Sequence, residues 1–283
     1  MLPALKTSLA RIVRMSKPSY VHGYSVREAV RLSDQADTLS ELLHHDTRYA
    51  EGSRVLECGC GTGAQTVHLA AGSPGARVVS VDVSPDSLAQ AQAKVHGAGH
   101  HNVTFRLANV FHLPFAERSF DHVFVCFLLE HLAEPLRALR ALKSVLRPGG
   151  SITAIEGDHG SWYCHPQTPE AARTVQCLIA IQARLGGNAL IGRQLFPLLA
   201  EGGFDGVRVS PRMVYVDDSK PELVEGFSKN TFIAMVQGVR EQALELRMMD
   251  AAAWDKGIAD MYRATERGGT FCYTFFKGVG IKH

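Results

Sequence analysis

The sequence predicts an α/β protein built on a mostly parallel sheet with helices on both faces. Three observations carry this. Between residues 53 and 156, short apolar strands alternate with helices across brief connections. A glycine-rich turn, Glu57-Cys58-Gly59-Cys60-Gly61-Thr62-Gly63, separates the first strand from the helix that follows it. The second strand ends on an acid, Asp82, at the edge where open parallel sheets bind ligands.

Residues 1–50 form an N-terminal helical extension in pieces. Ser25 is placed to cap a helix over 26–33, and Thr38 a second over 39–45. Residues 51–156 make the sheet core. Arg54–Cys58 is a compact apolar strand, followed by a helix over Ala64–Ala71. Arg77–Asp82 is the second strand, Asp86–Val95 a helix and Val103–Ala108 the third strand. Phe120–Phe127 is the fourth, Pro135–Leu146 a helix and Ser151–Glu156 the fifth. Residues 157–283 lose the rhythm. A helix over Gly192–Glu201 ends at Gly202-Gly203, and Val207–Ser210 is a short strand. The helical stretch 221–266 is expected to form a lid with 157–190. Thr270–Lys277 is an aromatic strand of high β-propensity.

Composition narrows the function classes. With 283 residues, 46% hydrophobic, 20% charged and a formal net charge of +2, the chain has no electrostatic footprint for nucleic acid. No apolar run approaches the roughly 20 residues of a membrane span. The six cysteines fall mostly in apolar elements, so they read as reduced, buried small hydrophobes in a reducing, cytoplasmic setting. No metal site is expected, since the pairs His44-His45 and His100-His101 lack a further ligand. The stretch before Glu28 holds Lys6, Arg11 and Arg14 and no acid. It reads either as a mitochondrial targeting segment or as a plain extension. Nothing in the sequence addresses the oligomeric state.

The glycine turn lets a ligand approach the backbone, and the helix start after it presents amide donors. Gly59, Gly61 and Gly63 alone do not distinguish ligands. Glu57 adds that a carboxylate stands at the strand tip, which suits the amino group or sulfonium of an amino-acid ligand and not a pyrophosphate. Asp82 is placed to accept from both hydroxyls of a ribose, or else to act as a turn acid before Ser84-Pro85. Asn109, after the third strand, could accept from an adenine amino group. Cys60, Val83, Val110, Cys126 and Phe127 stand beside these positions and are expected to contact the same ligand.

In order along the chain, E-x-G-x-G-x-G, the strand-ending Asp82, L-P-F at 113–115, F-D-x-V at 120–123, L-E-H-L at 129–132 and L-R-P-G-G at 146–150 resemble the landmarks of the class I methyltransferases, most closely the ubiquinone and menaquinone C-methyltransferase-like group. The resemblance covers about residues 53–156. It implies a Rossmann-like seven-stranded sheet with an antiparallel last strand, S-adenosyl-L-methionine as methyl donor and S-adenosyl-L-homocysteine as product. It also implies an N-terminal helix over the cofactor, with Tyr24 and Arg31 at the methionine end. Arg31 would pair with the cofactor carboxylate or else make a surface ion pair. Asn109 departs from the aspartate common at the adenine side.

For catalysis, His131 in L-E-H is a candidate base, cofactor ligand or helix cap. Asp158 and His159, just past the fifth strand, are placed to orient an acceptor or take its proton, or else simply form a polar turn. The expected activity is methyl transfer to a small hydrophobic or aromatic acceptor. Protein or RNA methylation, or cofactor binding without catalysis, are the alternatives.

Overall fold

A computed structural model describes residues 26–283. The basic N-terminal stretch, Tyr24 and the Ser25 cap lie outside the described residues. Seven strands form one sheet: β1 (Arg54–Cys58), β2 (Arg77–Asp82), β3 (Val103–Leu107), β4 (Phe120–Cys126), β5 (Leu146–His165), β6 (Asp205–Val216) and β7 (Thr270–Ile281). Their order is β3-β2-β1-β4-β5-β7-β6. The first five pair in parallel, and β7 inserts antiparallel between β5 and β6. The sheet is therefore the Rossmann-like arrangement that the resemblance implies.

Strands covered on both faces read as near-continuous apolar runs. That is why β1, β2 and β4 fall within a residue of where the sequence places them. Leu56, Val81, Val123, Leu139, Leu142 and Leu199 pack one buried layer. Leu39, Leu43, Leu69, Phe124, Ile155 and Leu178 pack another. The helices in these layers are α1 (Val26–His44), α2 (Ala64–Gly72), α3 (Pro85–Gly97, through Val95), α4 (Pro135–Val145), α5 (Pro169–Arg184) and α6 (Leu195–Glu201). Local chemistry sets their starts. Ser84 Oγ accepts from the Ser87 amide at 3.2 Å ahead of α3, and Thr168 Oγ1 accepts from the Ala171 amide at 3.2 Å ahead of α5.

Three expectations need correction. The two N-terminal helices are one, α1, and Thr38 lies within it. Its side chain packs on Gly226, where a Cβ would come within 2.3 Å of the hydroxyl, so tertiary contact overrides the capping preference. Second, residues 157–165 are strand and not lid or turn: β5 runs 20 residues because the first half of β7, from Thr270 to Phe275, pairs with this stretch. Gly157 pairs with Phe275, Asp158 with Thr274 and Tyr163 with Cys272, with a register shift between 158 and 163. The run Glu156, Asp158, His159 disguised this strand, yet all three side chains are buried. Third, the stretch after Pro221 is not plain α-helix. Val224–Ile233 is a π-helix, and Thr231 Oγ1 donates to the Gly226 carbonyl five residues back at 2.8 Å. A last helix, α7 (Ala251–Arg263), packs against α5.

Buried polar contacts fasten α1 to the far edge of the sheet. Lys277 on β7, only 4% exposed, donates to Asp46 Oδ1 at 2.5 Å and Thr47 Oγ1 at 2.6 Å. Arg212 on β6 holds the other Asp46 oxygen at 2.5 Å. Burial pushes the Asp46 carboxyl up, but hydrogen bonds from Lys277 and Arg212 prevail and hold it down at about 2. At the end of α1, buried His44 bonds Gln65 Oε1 through Nε2 at 2.6 Å. Burial pushes its imidazole down to about 4 from 6.5, although the Gln65 bond acts the other way. His44 is thus neutral in the fold but takes a proton in the unfolded chain as pH falls below 6.5. Its contribution is complete above pH 6.5 and is lost between 6.5 and 4, by about 3 kcal/mol in all. His44→Phe is expected to flatten that part of the acid limb in urea titrations at pH 7, 6 and 5; an unchanged slope would show that His44 titrates normally.

Candidate functional site

A cavity of about 950 Å³ opens at the carboxyl ends of β1, β2, β4 and β5 and is roofed by α1 and the π-helix. Its outer half is built by the glycine turn. The amides of Gly59 and Cys60 donate to the Val81 carbonyl at 2.8 and 3.1 Å, which folds the turn over β2. Gly63 has φ 80°, and a Cβ there would lie 2.8 Å from the Ala91 backbone, so its glycine lets α2 lie against α3. Gly61 also has a left-handed φ, +51°, but a Cβ there would meet nothing within 4 Å, because it faces the cavity. Asp82 is fixed by two backbone donors: Gly61 N to Oδ2 and Ser84 N to Oδ1, both 2.9 Å. Each of its oxygens keeps a further lone pair for a ligand hydroxyl.

Glu57 lies beneath this turn and does not line the cavity. It is 2% exposed, accepts from Ser80 Oγ at 2.6 Å, and burial pushes its carboxyl up to about 7. Gly59, Cys60, Gly61, Asp82, Val83, Cys126 and Phe127 do line the cavity, as does Arg31, which is buried on α1. Gly63, Asn109 and Val110 do not. Val110 is core, and Asn109 Oδ1 accepts from the Phe111 amide at 2.9 Å. The cavity wall there is Phe111, whose ring lies 4.9 Å from the Arg137 guanidinium.

The inner half centres on a carboxylate that the sequence reading did not single out. Glu156, fully buried at the end of the parallel part of β5, accepts from the amides of Leu128, Leu129 and Glu130 at 3.1, 2.7 and 3.4 Å. Burial, then the neighbouring Glu130 carboxylate, pushes the Glu156 carboxyl well up. This clamp sets the L-E-H segment on the cavity rim. Glu130 and His131 both line the cavity, Glu130 Oε2 accepts from Gln182 Nε2 at 3.1 Å, and His131 Nε2 stands 3.7 Å from Glu130 Oε1.

Asp158 and His159, neighbours in sequence, point to opposite tasks. Asp158 is buried away from the cavity, held by Arg193 through Nε at 2.6 Å and Nη2 at 2.8 Å and by the Gly160 amide at 3.0 Å. It anchors the bend of β5 and has no free face for an acceptor. His159 lines the cavity, 5% exposed, with Nδ1 on the Tyr273 hydroxyl at 2.7 Å. Around it stand Phe227, Phe232, Tyr273 and Phe275, with successive ring centroids 4.7–5.8 Å apart. Phe127 joins them from β4 in a left-handed conformation, φ 55°, which costs an ordinary residue about 1–2 kcal/mol. Glu130 and Tyr273 are not among the residues that the sequence picks out, although L-E-H carries Glu130. The aromatics of 221–266 read mostly as core, with a few expected to face an acceptor.

All six cysteines are free and buried, and no group of potential metal ligands is found among the described residues. None of the described helices is long and apolar enough to cross a membrane.

Two pairs of variants separate these roles. Gly63→Ala is expected to lower the unfolding midpoint strongly, because the new methyl meets the Ala91 backbone. Gly61→Ala should cost only about 1–2 kcal/mol from its φ yet impair ligand binding, so a fold defect as large as that of Gly63→Ala would contradict the assignment. Glu156→Ala leaves three backbone donors without their acceptor and should destabilise by about 3 kcal/mol. Glu156→Gln, which keeps an acceptor oxygen, should lose less than half of that in the same denaturation assay.

Comparison with known proteins agrees with this geometry. A family model described as a methyltransferase domain matches residues 56–154. A 37.1 kDa protein of transposon TN4556 from Streptomyces fradiae is 30% identical over 249 residues, 87% of this chain and 71% of that protein. The demethylmenaquinone methyltransferase of Listeria welshimeri is 34% identical over 110 residues, 38% of this chain and 47% of that protein.

 In fold, the chain matches the Haemonchus contortus phosphoethanolamine N-methyltransferase 2, solved with phosphomonomethylethanolamine and S-adenosylhomocysteine. The TM-score is 0.53 at 17% identity, over 88% of this chain and 52% of that one. The chain thus spans about half the length of the Listeria and Haemonchus proteins. With the ordered motifs, the seven-stranded sheet and these relatives together, the chain belongs to the class I S-adenosylmethionine-dependent methyltransferases, in the ubiquinone and menaquinone C-methyltransferase-like group.

Proposed function

We propose that the protein methylates a small, apolar, ring-bearing acceptor held in the inner half of the cavity. The observation that carries this is the wall of Phe127, Phe227, Phe232, Tyr273 and Phe275, continuous with the cofactor half and roofed by the π-helix. A roofed cavity of about 950 Å³ suits a small molecule better than a protein side chain on a large surface or an RNA base. The Listeria relative, named for a demethylated menaquinone, points the same way.

The outer half fits the methyl donor. Asp82, fixed by Gly61 and Ser84, is assigned to the ribose hydroxyls, and open space at Gly61 admits the ligand against the backbone. Arg31 is assigned to the donor's carboxylate, and Phe111 to the adenine side. Glu57 acts through the turn it supports. When bound, the donor supplies a methyl group on a sulfonium that is already electrophilic. The chain's own work is then to align the acceptor and exclude water, which the aromatic wall and the helical roof do. Residues 51–156 serve as the donor-binding core, while β5, β7 and 221–263 build the acceptor side.

Calorimetry with S-adenosylhomocysteine tests the donor half. Asp82→Ala is expected to weaken binding roughly 10- to 100-fold, the range of one or two charge-assisted hydrogen bonds; unchanged affinity would remove Asp82 from the site. Incubating a metabolite extract with methyl-labelled donor tests the acceptor half. Label in a small apolar product supports the proposal, and label confined to protein or RNA refutes it.

A further inference from the structure

The inner half of the cavity is apolar except at a few atoms, and one of them is unusually well defined. His159 Nε2 is buried and has no hydrogen-bond partner among the described residues. The ring stands in the cavity wall, edge-on to Phe232 at 6.2 Å. Its other nitrogen, Nδ1, is 2.7 Å from the Tyr273 hydroxyl. Space for that hydroxyl is provided by Gly157: a Cβ there would lie 2.4 Å from the phenol oxygen.

The hydrogen-bond network assigns the tautomer. Burial lowers the His159 pKa, although the Glu130 charge opposes it, so the ring is neutral and has one donor and one acceptor nitrogen. Tyr273 is fully buried, and a backbone hydrogen bond from Asp158 acts on its oxygen. Its hydroxyl proton is therefore best satisfied by His159 Nδ1, and a buried phenol proton without an acceptor is costly. With Nδ1 accepting, the imidazole proton resides on Nε2 and points into the cavity. In this state His159 donates a hydrogen bond and does not serve as a base.

We propose that the acceptor carries a carbonyl oxygen on a planar apolar framework, and that this oxygen docks on His159 Nε2–H, with Tyr273 as the positioning residue that sets the tautomer. This rests on the proposed function above. A hydrocarbon of the same shape leaves the Nε2 donor unpaired, so the site discriminates by the cost of an unsatisfied buried group as well as by the bond gained. Flat aromatic walls accept the framework, and the single donor fixes its orientation relative to the cofactor half.

The test uses the full chain saturated with S-adenosylhomocysteine and two probes of matched shape, 1-indanone and indane, titrated by NMR. The wild type is expected to bind indanone about 5-fold more tightly, the effect of one neutral hydrogen bond. His159→Phe should abolish that preference, and His159→Gln, which retains a donor, should keep part of it. Nitrogen-15 spectra of His159 should show the proton on Nε2 in the wild type and a tautomer mixture in Tyr273→Phe. Equal affinity for the probes, a preference that survives His159→Phe, or a proton on Nδ1 would each overturn the proposal. Should Tyr273→Phe not fold, the wild-type spectrum decides. Failure of both probes alongside normal S-adenosylhomocysteine binding overturns the carbonyl inference alone, whereas loss of S-adenosylhomocysteine binding by the wild type overturns the proposed function beneath it.

Discussion

The site depends on one buried carboxyl group. Glu156 gathers the amides of Leu128, Leu129 and Glu130 at the point where β4 ends and β5 passes it. Three backbone donors at a strand-to-helix turn would otherwise be stranded in an apolar layer, at a cost comparable to a large fraction of a domain's stability. Because the acceptor of those donors belongs to β5, the L-E-H segment cannot shift without the sheet. The same contact brings Glu130 and His131 to the rim between the two halves of the cavity.

From that fixed rim the two halves follow different rules. The outer half is a property of strand tips and tight turns: β1 delivers Gly59 to Gly63, and β2 delivers Asp82. The inner half requires β7. Its insertion beside β5 extends that strand to His165 and sets Phe275 and Thr274 across from Gly157 and Asp158, with Tyr273 next along β7. The π-helix then lays Phe227 and Phe232 on that surface, ring against ring. Its wider turn brings the Thr231 hydroxyl onto the Gly226 carbonyl while displacing side chains from ordinary helical spacing. Irregular helical geometry at a cavity wall is a common companion of function.

This division explains what was legible in the sequence. Asp82 and the glycine turn are local, because every group that shapes them lies within one βα unit or its neighbour. Asn109 is held by a bond of the same local kind: its amide oxygen accepts from the Phe111 amide two residues on. Asp158 looked like a turn acid because Arg193, which neutralises it, lies 35 residues away. Tyr273 looked like one more aromatic in a β-rich run, since nothing in the run marks His159 as its partner. The acceptor side is assembled by long-range pairing, and residue type alone does not report such pairing.

Asp158 and His159 illustrate how the extended β5 converts adjacent polar residues into separate functions. Successive side chains of a strand point to opposite faces. Asp158 turns toward Arg193, where a bidentate pair satisfies its charge, and His159 turns toward the cavity, where burial keeps it neutral. Had the segment been a loop, both groups could have reached solvent, and neither constraint would hold. The strand thus places a charged pair outside the cavity and leaves an uncharged imidazole in its wall. An apolar wall with a neutral donor suits a reaction whose electrophile already carries its charge, because His159 and the rings around it add orientation without adding a further ion.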